Sequence, residues 1–134
     1  MTYHEDIYNY LNSHVQNIES IDSIDNLPKK VIGHLDRTVQ ILKIIDGRQP
    51  ENYKQLIEYL NQEGRNFGWS YPENAEEEKS ETEFWKLKDS IKLIIQSMTA
   101  NERLYFFGYL AEYENLKSIE RSAREDIELK LFMK

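Results

Sequence analysis

The stretch at residues 28–47 has the sequence PKKVIGHLDRTVQILKIIDG and decides the fold class. Its apolar residues recur three and four positions apart, which is the period of one face of an α-helix. They are Val31, Ile32, Leu35, Val39, Leu42 and Ile45. Pro28 suits the first turn of a helix, and Gly47 suits the position just after a helix ends. The stretch therefore predicts an amphipathic helix.

The same periodicity extends outward from this stretch in both directions. Helical stripes cover residues 3–18, 50–64, 84–98 and 100–132. Ser80 with Glu83, and Thr99 with Glu102, have the spacing of capping boxes at helix starts. No segment alternates apolar and polar residues between turn dipeptides, as strands of a hairpin do. The sequence therefore predicts an all-α fold, a single-domain antiparallel bundle of four to five helices over residues 1–134 with a long C-terminal helix.

The predicted last helix is too long for a compact domain of this size. Residues 100–132 would form a helix of roughly 50 Å, whereas a globule of this chain length is about 36 Å across. The helix must bend at Gly108 or near Lys117, or the bundle must be elongated, or the end must pack on a partner. Because Leu129, Leu131, Phe132 and Met133 are apolar, we expect an elongated bundle and a homodimer formed through this helix.

Composition excludes several classes of protein. The chain has no cysteine, which excludes disulfide scaffolds, cysteine-ligated metal sites and cysteine nucleophiles. No apolar run reaches the length of a transmembrane helix, and the first residues lack the pattern of a secretory signal. We therefore expect a cytoplasmic protein.

The charge is unevenly distributed along the chain. The 24 acidic and 17 basic residues give a net charge of −7, and the acidic excess lies in residues 1–26 and 73–83. An acidic chain repels phosphate backbones, so we expect no nucleic-acid partner. An acidic block accelerates association with a cationic surface, so the partner expected here is a protein with a basic surface.

Motifs for catalysis are weak. His4, His14 and His34 have no spacing that places two of them on one turn of a helix as metal ligands. Glutamates at 73, 76, 78 and 81, or at 125 and 128, have the spacing of magnesium ligands in helical hydrolases, but such spacing is expected by chance in a glutamate-rich segment. We expect no catalytic residue, no metal and no cofactor, with a metal-dependent helical-bundle hydrolase as the alternative.

Aromatic residues give a more pointed indication of a binding surface. The segment 67–72, FGWSYP, lacks helical periodicity and is predicted to be a loop, and loops tend to carry recognition. Tyr105 and Tyr109 are four residues apart and lie on one face of the predicted last helix. The candidate partner-binding residues are Trp69, Tyr71, Glu73, Glu76, Glu77, Glu78, Tyr105 and Tyr109.

These patterns favour a non-enzymatic cytoplasmic protein-binding module that uses an acidic surface and exposed aromatic side chains. The high usage of Ile, Asn, Lys and Tyr is typical of low-G+C bacteria and their phages. Small acidic proteins of that origin often act as inhibitors, immunity proteins, antitoxins or regulators, so we expect a role of this kind. A structural homo-oligomer is a further alternative.

Overall fold

The computed structural model describes residues 2–116 and 119–133, and this part of the chain forms seven α-helices and no strand. The four longer helices are α1 (Tyr3–Glu19), α2 (Lys29–Ile45), α3 (Pro50–Gly68) and α4 (Ala75–Gln96). Three shorter helices follow, α5 (Ala100–Phe106), α6 (Leu110–Asn115) and α7 (Arg121–Lys130). One turn of 3₁₀-helix, Ile24–Asn26, lies between α1 and α2. The predicted all-α fold class is confirmed.

Three helices, α1, α4 and α5, begin where a side chain accepts a hydrogen bond from a free backbone N–H group. Thr2 caps α1 by accepting from the backbone N–H of Glu5. Pro50 is the first residue of α3. Thr99 and Glu102 form the predicted capping box at the start of α5, each side chain accepting from the other's backbone N–H. These starts follow from local sequence.

The core lies between the apolar faces of the longer helices. α1 packs on both α2 and α4, and α2 packs on α3. The main buried cluster includes Ile7, Leu56, Phe84, Ile91 and Phe107, and a smaller cluster around Ile18, Val31 and Leu35 lies between α1 and α2. No helix within the described ranges is long and apolar enough to span a bilayer.

The prediction of one long C-terminal helix is wrong, because the chain leaves the helix at Gly108. The N–H of Gly108 donates to the carbonyl of Tyr105 and that of Tyr109 to the carbonyl of Leu104, which is a Schellman motif. Gly108 has φ +76°, and a Cβ there would lie 2.8 Å from the carbonyl oxygen of Pro50. Glycine is therefore needed both for the turn and for the close approach to α3.

The break at Gly108 is one of the alternatives that the sequence left open, while the alternative break at Lys117 lies outside the described residues. The apolar end that suggested a dimer is partly covered by the chain itself. Leu131 is buried, and the ammonium of Lys92 lies 5.2 Å from the centre of the Phe132 ring. The apolar C-terminal residues therefore no longer support a homodimer, which stays an untested prediction.

The predicted start of the fourth helix is wrong as well. The helix begins at Ala75, where the side chain of Asn74 accepts from the backbone N–H of Glu77. Ser80, the expected cap, is fully buried inside α4. The segment predicted as a loop is also shorter than expected, because Phe67 and Gly68 still belong to α3 and Phe67 is buried. Phe67 packs on His34 and Phe84, and Ser80 is buried, which the local sequence pattern did not predict.

Candidate functional site

Two predicted binding residues lie on the connection between α3 and α4, at residues 69–74. Trp69 is 83% exposed and Tyr71 is 92% exposed. An aromatic side chain offers a large rigid contact area with few rotatable bonds, which is why Trp and Tyr are enriched among residues that dominate binding energy. The connection therefore presents two aromatic side chains that the described part of the chain leaves largely uncovered.

Lys30 on α2 fixes this connection to the rest of the molecule. Its ammonium donates to Ser70 Oγ at 2.7 Å, lies 5.7 Å from the centre of the buried Phe67 ring, and is 4.0 Å from a carboxylate oxygen of Glu77. These contacts hold the segment on both sides of Trp69. The exposed aromatic side chains therefore project from a segment that Lys30 of α2 contacts on both sides of Trp69.

Trp69 also lies at the edge of a surface depression, here called the Trp groove, which is bounded by α3, α4 and α7. The groove has a volume of about 410 Å³, and its apolar walls include Trp69, Trp85 and Leu129. Leu129 is 60% exposed, whereas Trp85 is half-buried and its indole N–H donates to Glu81 at 3.3 Å. This volume lies within the range of binding pockets for small ligands.

Gly64 and Gly68 line the groove along α3. A Cβ at Gly64 would lie 3.3 Å from the ammonium of Lys88 and 3.9 Å from the Trp85 ring. Lys88 itself lies 5.4 Å from the centre of that ring. The absence of a side chain at Gly64 therefore lets Lys88 and Trp85 approach the backbone of α3.

The predicted acidic patch is divided between buried and exposed side chains. Glu76, Glu77 and Glu78 occupy the first turn of α4, where negative charge is favoured by the helix dipole. Glu77 is buried, and its carboxylate accepts from Asn74 Nδ2 at 2.9 Å. The expectation that Glu77 faces a partner is therefore wrong. Glu73 and Glu78 are exposed, and Glu76 is half-buried.

The two predicted tyrosines do not share a surface. Tyr105 on α5 is 65% exposed, whereas Tyr109 is buried in the core. The hydroxyl of Tyr109 donates to Glu58 at 2.8 Å, and burial together with that carboxylate raises the pKa of Tyr109 well above its usual value. The predicted tyrosine stripe is wrong because the turn at Gly108 rotates Tyr109 away from the face that carries Tyr105.

A buried polar network on α1, α2 and α3 was not predicted. His14 Nε2 lies 2.8 Å from His34 Nε2, and His34 Nδ1 lies 3.0 Å from Glu63 Oε1. Glu63 also accepts from Arg37 Nε at 2.7 Å and from Asn66 Nδ2 at 2.7 Å. Glu63 is only 1% exposed, so its charge is compensated by three donors inside the fold. The signal in the sequence was the position of His14 and His34 on apolar helical stripes.

The geometry fixes the donor to Glu63 in this network. Because the Glu63 carboxylate can only accept, His34 Nδ1 donates to it, and one proton lies between the two Nε2 atoms of His14 and His34. Burial, and then the neighbouring His34, lower the pKa of His14 to about 3. Burial alone would raise the pKa of Glu63, but hydrogen bonds from His34 and Arg37 outweigh burial and lower it.

This network contains groups capable of acid–base chemistry but keeps them from solvent. His14, His34 and Glu63 are buried and hydrogen-bonded to one another. The third histidine, His4, is hydrogen-bonded separately to the Tyr53 hydroxyl, and burial raises the pKa of Tyr53 to about 12. Within residues 2–116 and 119–133, no group of three or more His, Asp or Glu side chains is placed to hold a metal ion.

Comparison with known proteins finds no match to this chain among protein-family models, curated proteins or solved structures.

Proposed function

We propose that the chain is a non-enzymatic, cytoplasmic protein-binding module of the inhibitor, immunity, antitoxin or regulatory kind. The observation that supports this most directly is the exposure of Trp69 and Tyr71 on a backbone segment anchored by Lys30. Exposed aromatic side chains on an anchored segment lose little conformational entropy on binding, which favours affinity. The burial of the His14–His34–Glu63 network favours a structural role for these acid–base groups.

We propose that the partner surface next to this connection is basic. Glu73 and Glu78 are exposed beside the two aromatic side chains, and the chain as a whole carries a net charge of −7. Complementary charges accelerate encounter and fix the orientation of the complex. Glu77 takes no part in this contact because its carboxylate is buried against Asn74.

We also propose that α1 to α4 form an antiparallel bundle. The connection between α2 and α3 covers residues 46–49, and that between α3 and α4 covers residues 69–74. Connections this short join antiparallel neighbours in helical bundles. Such an arrangement supports the exposed α3–α4 connection at one end of two long helices.

The proposal is tested by replacing the two aromatic side chains together, Trp69→Ala with Tyr71→Ala. Tagged wild-type chain is used to purify a partner from the producing cell, and the complex is then reconstituted from the two purified proteins. We expect the double variant to bind at least about tenfold more weakly by calorimetry, since such anchors dominate binding energy. Tyr10→Ala, which removes a partly exposed tyrosine on α1, is the matched control.

Charge reversal of the exposed glutamates, Glu73→Lys with Glu78→Lys, tests the basic partner surface separately. We expect slower association and a weaker dependence of the rate on salt. Recovery of no stoichiometric protein partner, or equal binding by the wild type and the aromatic double variant, would contradict the proposed function. Unchanged association after charge reversal would contradict only the basic surface.

A further inference from the structure

Resting on the proposed function, we infer that the Trp groove receives an acidic segment of the partner protein, with one large apolar side chain between Trp69, Trp85 and Leu129. The groove has about 410 Å³ of space beside these three side chains. Trp69 and Leu129 remain mostly exposed there. A large apolar side chain placed in the groove would remove both from water, which is the dominant favourable term in association.

The charges around the groove favour a bound segment that is acidic. Arg65, Lys88 and Lys130 line it, against one carboxylate, Asp126. Asp126 is already paired with Lys130 at 3.2 Å, and Lys130 also contacts Glu58 at 3.1 Å. Within the described residues, no carboxylate lies within 4.0 Å of Arg65 or Lys88.

Lys88 is half-buried, whereas Arg65 is exposed. Burial, and then the neighbouring Lys92, lower the pKa of Lys88. A carboxylate from the partner would lie near this partly desolvated ammonium and near Arg65, where a charge-assisted hydrogen bond is stronger than on an open surface. The groove is thus locally basic on a protein whose net charge is −7.

A polypeptide segment fits these observations better than a nucleic acid does. Single-stranded nucleic acids need a cationic track along several phosphates in addition to stacking platforms. Here the uncompensated cations are confined to Arg65 and Lys88, and the exposed start of α4 beside Trp69 is acidic. A short acidic segment with one large apolar side chain could be bound by the Trp groove together with Arg65 and Lys88 alone.

The experiment selects short random peptides displayed on phage against the immobilised full chain. Selected peptides are synthesised and titrated into wild type, Trp69→Ala, the double variant Arg65→Glu with Lys88→Glu, and Leu93→Ala. Leu93 is an exposed residue of α4 that does not line the groove. Of the four altered residues, Arg65, Trp69 and Leu93 are exposed and Lys88 is half-buried, so circular dichroism with thermal unfolding checks that each variant is folded.

We expect selected peptides rich in Asp and Glu around one large apolar residue. Their affinity should fall about tenfold or more in Trp69→Ala and in the charge-reversed variant, and stay within about twofold in Leu93→Ala. Neutral or basic peptides that still require Trp69 would overturn the acidic segment and leave the proposed function standing. Peptides that bind independently of Trp69, or no selected peptide at all, would overturn the groove and count against the proposed function.

Two further measurements test whether the groove instead binds a nucleic acid or a second copy of this chain. An oligothymidylate that binds the wild type and competes with the selected peptide would assign the groove to nucleic acid and overturn the inference. Sedimentation showing a dimer that dissociates in Trp69→Ala would assign the groove to a second copy of this chain and also overturn it. A monomer that binds acidic peptide and no oligothymidylate supports the inference.

Discussion

At the contact between His14 and His34, the two Nε2 atoms are 2.8 Å apart, so a single proton lies between them. His34 uses its other ring nitrogen, Nδ1, to donate to Glu63. Placing a second proton on His14 would create an imidazolium in the core next to another histidine. The fold therefore holds His14 in the neutral form, and this coupling makes stability depend on pH.

We predict that the free energy of unfolding falls as the pH is lowered from about 6.5 towards 3. The folded pKa of His14 is lowered to about 3, so in this window the unfolded chain binds more protons on His14 than the folded chain does. One such group contributes a slope of up to about 1.4 kcal/mol per pH unit. Urea unfolding at a series of pH values measures this slope.

His14→Gln is the matched variant for this prediction. The glutamine amide can donate to His34 Nε2 but does not titrate, so the slope between about pH 6.5 and 5 should decrease. The pKa of Glu63 is lowered by folding. Wild type and His14→Gln should therefore both lose further stability below about pH 4.5, where Glu63 becomes protonated in the unfolded chain. An unchanged slope in His14→Gln would show that His14 is not the group responsible.

At the scale of elements, α4 shows how a local signal can be overruled by packing. Ser80 and Glu83 have the spacing of a capping box, and the apolar stripe that follows begins at Phe84. Yet α4 begins five residues before Ser80, where Asn74 supplies the cap. Because α1 packs along α4, burying Ser80 and extending the helix towards α3 is favoured over a cap at that position.

The two possible helix starts predict opposite outcomes for two alanine substitutions. Asn74→Ala should lower the free energy of unfolding by about 1 kcal/mol, because it removes the side chain that caps α4. Ser80→Ala should change it by less than about 0.5 kcal/mol or stabilise the fold. The hydroxyl of Ser80 is buried and, within the described residues, has no hydrogen-bond partner.

Urea denaturation of the two variants beside the wild type measures both effects. The structure requires the larger loss in Asn74→Ala. A loss of about 1 kcal/mol in Ser80→Ala, with little change in Asn74→Ala, would instead place the helix start at Ser80 as the capping-box spacing indicated.

At the scale of the whole molecule, Arg103 on α5 connects the C-terminal segment to the end of α4. Its guanidinium donates to the carbonyl of Phe132 at 2.9 Å and to that of Leu131 at 3.3 Å. It also donates to the carbonyls of Gln96 and Met98, both at 3.1 Å. One side chain therefore satisfies carbonyl groups at two helix ends that the helices themselves leave free.

We predict that Arg103→Ala lowers the free energy of unfolding by about 2 kcal/mol, since hydrogen bonds from a charged donor contribute more than neutral ones. Arg103→Lys should recover little, because an ammonium lacks the planar fork that reaches all four carbonyls. Hydrogen exchange should accelerate in α7 more than in α1. Arg121→Ala, at an exposed position of α7, is the control and should change exchange little.

If Arg103→Ala left exchange in α7 unchanged, the C-terminal segment would be held by apolar packing of Ile127 and Leu131 alone. The Trp groove would then also be independent of Arg103, because α7 supplies Leu129 and Lys130 to it. We therefore expect Arg103→Ala to bind the selected peptide more weakly in the Trp groove as well as to exchange faster in α7.

The sequence by itself determined the fold class and the approximate positions of the longer helices, because periodicity and caps act over a few neighbouring residues. It left the turn at Gly108 as one of several alternatives. It also pointed to Trp69 and Tyr71, which no helical stripe accommodates. Tertiary structure alone decided that Tyr109, Glu77 and Ser80 are buried, that His14, His34 and Glu63 meet, and that Leu129 joins Trp69 and Trp85 in one groove. These contacts join residues far apart in the chain, and burial against another helix depends on packing that no local pattern contains.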